Sequence, residues 1–361
     1  MRFLQRHALF LMLGFVPIAV AIAVFAPERR IAIFCASALA ILPLAAYLGR
    51  ATERLAGHLG SGIGGLLNAT FGNAAELIIG ALALREGLTD LVKASLTGSI
   101  IGNVLLVFGA SALVGGLRHP VQRFNRTAAG LGTTMLLLSV IGLIVPAVFH
   151  LLSRGRPNSP ELALDTEIAI VLFVTYCLSL VFTLKTHRGL YGPPQPPAGH
   201  PKPLVDRSDV RRSIYTLFAA TAGVAVVSEL LVSTASEAAR TLGMSELFVG
   251  VVVIALIGNA AEHYSAVVMA ADDKMDAAIA IAVGSSTQIA LFVAPALVFL
   301  SYLIAPTPMN LLFTTFEIVA IGLAVLSIAF IAHDGETHWM EGVQLLAVYV
   351  ILTLGFYFLP F

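Results

Sequence analysis

Gly72-Asn73-Ala74-Ala75-Glu76 recurs residue for residue as Gly258-Asn259-Ala260-Ala261-Glu262, 186 positions later in a chain of 361 residues. Each GNAAE copy lies inside a long apolar segment. An ionised acid at the centre of a membrane helix costs roughly 2.5–3.5 kcal/mol even on lenient insertion scales, so one such residue already hints at function. The same acid in the same setting in each half of the chain points to a site built at a repeat interface. The offset also pairs Gly98-Ser99 with Gly284-Ser285, Asp90 with Asp276, Gly64 with Gly250 and Gly57 with Gly243. A chance five-residue match would not hold register across two neighbouring helices.

Charged residues make up 12% of the chain and hydrophobic residues 58%, a charge content about half that of a globular domain. Such a chain is an all-α polytopic membrane protein. The zero net charge argues against nucleic acid and against a polybasic surface role. Cys35 and Cys177 fall within apolar spans and read as small buried hydrophobes rather than a disulfide. The first apolar run has no clear cleavage site and is kept as a helix.

Runs of about 20 apolar residues give eleven transmembrane helices, over 8–26, 30–49, 62–85, 89–117, 126–152, 163–186, 212–234, 244–270, 276–302, 306–332 and 339–359. They sort into an extra N-terminal helix within 1–29, a first five-helix repeat over 30–186, a proline-rich linker over 187–211 and a second repeat over 212–361. With the N-terminus inside, inner loops carry 14 of the 21 Lys and Arg residues, which sets the N-terminus and linker in the cytoplasm and the C-terminus outside. Five spans per repeat, an odd number, forces the two copies into opposite orientations. That is the mark of an alternating-access transporter with a site near the bilayer midplane.

On a helix, Gly72, Asn73 and Glu76 share one face, as do Gly258, Asn259 and Glu262. The glycines weaken the helix and free carbonyls, and the asparagines add amide oxygens. Two carboxylates with neutral oxygens suit a hard cation, Ca²⁺ in particular; no cysteine aligns with the motif to favour a soft metal. The next helix of each repeat offers Ser99 and Asn103, then Ser285, Ser286 and Gln288, which line the pathway or simply bond between helices. Two neighbouring acids in low dielectric cannot both stay ionised cheaply, so the empty pair takes protons and a divalent cation displaces them. Exchange of two protons for one Ca²⁺ would balance the charge. His263 follows Glu262 and serves either a proton relay or an interhelical bond.

Other polar residues read more plainly. Glu229 and Glu317 line an access route or sit near an interface, while Asp90 and Asp276 read as helix caps. The sequons at Asn68 and Asn125 are accidental. Neither His-Glu-x-x-His nor Gly-x-Ser-x-Gly occurs, so the chain does not read as an enzyme.

GNAAELIIGALAL at Gly72–Leu84, GNAAEH at Gly258–His263 and the Gly-Ser pairs that follow resemble the two α-repeats of the cation/proton exchanger (CAX) family of calcium/cation antiporters. The resemblance covers most of residues 30–360. It implies eleven helices, a kinked motif helix in each repeat, and Ca²⁺/H⁺ exchange with Glu76 and Glu262 taking Ca²⁺ or protons in alternation. It maps the family's motif residues onto Asn73, Glu76, Asn259 and Glu262, and onto Ser99, Asn103, Ser285 and Gln288. The substrates are then Ca²⁺ and H⁺, with no cofactor. The linker lacks the acidic stretch of many members, which puts a regulatory acidic helix in doubt. The short N-terminus points to a prokaryotic plasma membrane rather than a vacuole. A sodium/calcium exchanger of the same superfamily and a divalent-cation channel are the competing readings; oligomeric state, including a homo-oligomer, is left open.

Overall fold

The structure is a computed structural model that describes residues 9–153, 160–187 and 207–359. Residues 188–206 of the proline-rich linker lie outside the described residues, as do Arg2, Arg6, Arg154 and Arg156. The described residues are almost entirely helical. In chain order the helices are α1 (Leu9–Phe25), α2 (Arg30–Phe71), α3 (Ala74–Arg85), α4 (Thr89–Gly116), α5 (Arg126–Ser153) and α6 (Glu161–Thr186). There follow α7 (Arg207–Thr241), α8 (Glu246–Gly258), α9 (Ala260–Ala271), α10 (Met275–Ile304), α11 (Thr315–Ala332) and α12 (Trp339–Phe358).

Eight of these helices contain segments long and apolar enough to cross a membrane. The pair α8 and α9, bent by 61° at their junction, makes a ninth, and α1 is a shorter apolar helix. Large apolar side chains such as Val174, Leu178, Ile141, Val350 and Ile351 point outward, the arrangement a hydrocarbon solvent selects. Cys35 and Cys177 are free thiols on this outward face. Their expected burial is therefore wrong: an apolar span supplies lipid-facing positions as readily as core ones.

The helical run of α2 is not one straight rod. A Cβ on Gly64 would strike the backbone of Ala56, although eight residues of straight helix rise about 12 Å. Gly64 is therefore brought back against Ala56, which a straight helix would not allow. The expected span over 62–85 overlaps the end of α2 and the whole of α3.

Two other expectations need correction. The tenth span begins at Thr315 rather than 306, because Pro306 and Pro308 disrupt helix and a capping box starts it later. Thr314 Oγ1 accepts from the Glu317 backbone N–H at 3.3 Å, and the Glu317 carboxylate accepts from the Thr314 N–H at 2.9 Å. The fold is also not purely helical: Gln122–Arg123 pairs antiparallel with Glu336–Thr337, tying the α4–α5 connection to the α11–α12 connection.

The interior is packed through small residues. A Cβ on Gly98 of α4 would run into the Val251 carbonyl of α8, so the two backbones touch there. Gly98's repeat counterpart, Gly284 of α10, has nothing among the described residues within 4 Å of its Cβ position. Helix α4 also contains a π-helical turn over Gly102–Val107, and α10 contains one over Ile289–Val293, at the same repeat position. Such turns insert an extra residue into the helix and recur at functional sites.

Candidate cation-binding site

Both GNAAE copies break their helices at the same residue. Asn73 (φ −108°, ψ 26°) and Asn259 (φ −94°, ψ 11°) leave the α-helical region, and new helices start at Ala74 and Ala260. Glu76 and Glu262 consequently occupy the first turns of α3 and α9, where the positive ends of the helix dipoles favour negative charge. Gly72 lies in the break before α3, and Gly258 is the last residue of α8.

The two copies meet. A Cβ on Gly258 would lie 3.3 Å from Glu76 Oε1, so the Glu76 carboxylate rests on the glycine of the other motif. Glu262 lies within electrostatic range of Glu76, and of Glu53 on α2. Both motif acids are half-buried. Oε2 of Glu76 is fully buried and accepts no hydrogen bond among the described residues, and the same holds for Oδ1 of Asn103. Buried oxygens without donors are rare and costly, because they have lost water without replacement.

A network of amides and hydroxyls crosses between the halves. Asn259 Nδ2 donates to Ser99 Oγ at 2.8 Å and to the Ala255 carbonyl at 3.0 Å. Asn103 Nδ2 donates to Asn259 Oδ1 at 3.2 Å and to Ser285 Oγ at 3.1 Å. Separately, Asn73 Nδ2 donates to Gln288 Oε1 at 2.5 Å. The structure therefore joins Ser99, Asn103, Asn259 and Ser285 in one chain of bonds and Asn73 and Gln288 in another.

Two candidates stand outside these chains. The Ser286 hydroxyl is turned to the Ala282 carbonyl at 2.9 Å and the Ile100 carbonyl at 3.4 Å, which makes it a helix–helix contact. The His263 ring is half-buried beside the break and joins neither chain. The other acids singled out in the sequence have partners or places of their own. Glu229 pairs with Arg85 at 2.5 Å, and Glu317 is the N3 residue that closes the capping box of α11. Asp276 does not cap its own helix; its Oδ1 accepts from the Asn125 backbone N–H at 2.5 Å. Asp90 sits in the first turn of α4 with no side-chain cap bond at that terminus. Asn125 Oδ1 accepts from the Thr127 and Ala128 N–H groups, capping α5.

Sequence reasoning missed a buried polar cluster near these helices. Lys93, 7% exposed, donates to Asn310 Oδ1 at 2.5 Å and to the Leu312 carbonyl at 2.9 Å. Asp165 accepts from the Leu311 N–H at 3.2 Å, and Thr97 donates to Glu317 Oε1 at 3.0 Å. The signal is present in the sequence: Lys93 is a lone cation inside the apolar run over 89–117.

With this geometry in view, the comparison with known families is decisive. The family model of the sodium/calcium exchanger protein matches residues 29–185 and 212–358. The chain belongs to that family. The two matched stretches fall on either side of the linker. The exchanger is 48% identical over 329 residues to the Ca(2+)/H(+) antiporter ChaA of Bacillus subtilis, covering 91% of this chain and 92% of that one. It is 45% identical over 340 residues to a Ca(2+)/H(+) antiporter of Synechocystis sp., covering 91% of each. The solved structure of native YfkE superposes on it with a TM-score of 0.83 at 43% identity, covering 97% of the exchanger and 100% of YfkE.

Proposed function

We propose that the chain is a Ca²⁺/H⁺ antiporter that works by alternating access at a site shared by the two GNAAE motifs. The observation that carries this reading is the meeting of the motifs: Glu76 rests on Gly258, with one buried carboxylate oxygen unbonded. Glu76 and Glu262 hold either protons or one Ca²⁺. Asn73, Asn259, Gly72 and Gly258 add neutral oxygens, which suit a cation that accepts 6–8 ligands in flexible geometry. The two helix N-termini favour the ionised pair when Ca²⁺ is present. Without a cation, two like charges brought together are relieved by proton uptake. Protons and Ca²⁺ thereby compete for the same oxygens, and competition at a site open to one side at a time is antiport.

In this reading the chain has eleven spans: α1, the two limbs of α2 with α3 completing the second, α4 to α7, the broken pair α8–α9, and α10 to α12. Residues 30–186 and 212–361 form two inverted repeats joined by the linker over 187–211. The N-terminus is cytoplasmic, the C-terminus is extracytoplasmic, and the membrane is a prokaryotic plasma membrane, as the bacterial relatives suggest. The contrast between Gly98, closed on Val251, and Gly284, open, fits a conformation sealed on the outer side and open to the cytoplasm. Ser99, Asn103, Ser285 and Gln288 form the polar lining that orients the motif asparagines.

The test uses sealed vesicles holding purified protein with an outward-directed proton gradient and no sodium. Ca²⁺ uptake that collapses with a protonophore, and in both Glu76→Gln and Glu262→Gln, is the expected result. A requirement for sodium would overturn proton coupling, and uptake surviving either substitution would overturn the paired-acid site.

A further inference from the structure

We propose that a cleft between α1, α2 and α7 binds a phosphate-bearing anion, presented by an anionic phospholipid of the surrounding membrane. The cleft has a volume of about 830 Å³ and is lined by Arg50 and Arg54 of α2 and by Arg212 and Ser213 of α7, with Phe10 of α1 at its edge. Asp209 also lines it, with the His58 ring nitrogen Nε2 3.7 Å away, a pair that is ionic only when His58 is protonated. Among the described residues no acid pairs with Arg50, Arg54 or Arg212. Three guanidinium groups therefore outnumber the one carboxylate in the lining.

Ser213 supplies an independent sign. It is 2% exposed, and its Oγ has no hydrogen-bond partner among the described residues. A buried hydroxyl beside three unpaired guanidiniums suits an acceptor-rich ligand, since phosphate oxygens take bonds from a hydroxyl and from guanidinium forks together. The cleft also opens onto the first turns of α7, whose positive helix end adds to the attraction. Beyond the cleft the outer face of α7 is apolar, with Ile214 and Phe218 exposed, and Phe10 is 68% exposed on the other wall. A headgroup seated on the arginines would lay its acyl chains along that surface, which a free phosphate ion would leave unused.

The experiment reconstitutes the full chain in vesicles of mixed phosphatidylcholine and phosphatidylglycerol, then extracts it and counts retained lipid by native mass spectrometry. Wild type should retain phosphatidylglycerol preferentially, and Arg50→Gln/Arg212→Gln should reduce that retention about tenfold. The charge-preserving Arg50→Lys/Arg212→Lys should retain an intermediate amount and elute as a folded protein. Arg118→Gln/Arg123→Gln, which removes arginines outside the cleft, should retain the wild-type amount. Displacement of the lipid by millimolar inorganic phosphate would keep the anion site and assign it to a soluble source. Equal retention of the two lipids with no phosphate-induced shift in Tm would overturn the proposal. Equal loss in the Arg118/Arg123 variant would also overturn it, since retention would then follow surface charge alone.

Discussion

Glu76 Oε1 lies 3.3 Å from the point that a Cβ on Gly258 would occupy, so the acid of one repeat is seated on the glycine of the other. The glycine contributes room. A methyl group there must displace the carboxylate by a few tenths of an ångström, toward the other carboxylate or away from its ligand. Gly258→Ala should raise the KM for Ca²⁺ about tenfold, a loss of about 1.4 kcal/mol of binding, with Tm little changed. Gly258→Val should abolish uptake. An unchanged KM in Gly258→Ala would mean the carboxylate is not held against this backbone during transport.

Competition between Ca²⁺ and protons has a definite sign. Each proton that must leave before Ca²⁺ coordinates the pair adds about one to the slope of log affinity against pH, by linkage. Affinity should therefore rise with pH, with a slope approaching about 2 while both acids are protonated in the empty site. It should level off once both are ionised. Glu76→Gln leaves one titrating carboxylate, so any residual binding should have half that slope. Calorimetric titration across pH measures it, and a flat profile would rule out proton competition at this pair.

The bond chain from Ser99 through Asn259 and Asn103 to Ser285 should behave as a unit. Asn103→Ala and Asn259→Ala should show a coupling energy of about 0.5–3 kcal/mol in a double-mutant cycle on stability, the range for residues sharing a network. Asn73→Ala combined with Asn103→Ala should be close to additive, because their bonds are separate. Thermal unfolding of the three single and two double variants decides between these outcomes.

Gly98 and Gly284 occupy equivalent repeat positions but differ in surroundings. Gly98→Leu would collide with the Val251 backbone and destabilise the conformation seen here. Gly284→Leu has room, so it should fold and bind Ca²⁺ but fail to exchange it, provided the other conformation closes α10 as this one closes α4. Preserved binding with lost uptake is the expected pattern. Full uptake in Gly284→Leu would show that no such closure occurs.

Glu317 is 2% exposed; one carboxylate oxygen closes the capping box with Thr314 and the other accepts from Thr97 of α4. Thr314→Ala removes half of that capping box. It should lower stability by about 0.5–2 kcal/mol, the usual cost of a lost cap, and leave Ca²⁺ uptake intact. A transport defect at unchanged stability would instead place this cluster on the ion pathway.

Much of this architecture is legible in the sequence because membrane helices must be long, apolar and internally bonded. The repeated pentapeptide was visible for the same reason: an acid is conspicuous among apolar residues. It led to Glu76 and Glu262, and to Ser99, Asn103, Ser285 and Gln288 as their polar neighbours. What escaped was information carried by direction. Ser286 differs from Ser285 only in the face it presents, and Cys35 and Cys177 could face lipid or core with equal apolarity. Glu317 could not be separated from a transport acid without knowing that Thr314 begins its helix.

The π-helical turns of α4 and α10 bear on how this chain can change over evolutionary time. Each houses one residue more than an α-helix of the same span would hold. Removing that residue would leave a hydrophobic segment with the same composition and length class, and a regular helix. It would also rotate everything beyond it by about 100°, turning Gly109 away from Leu345 and the far end of α4 away from α12. Apart from Asn103, which bonds to Asn259 and Ser285, substitutions over Gly102–Val107 can therefore be gradual, whereas insertions and deletions there shift the register of all that follows. At its apolar positions, length is held more tightly than identity.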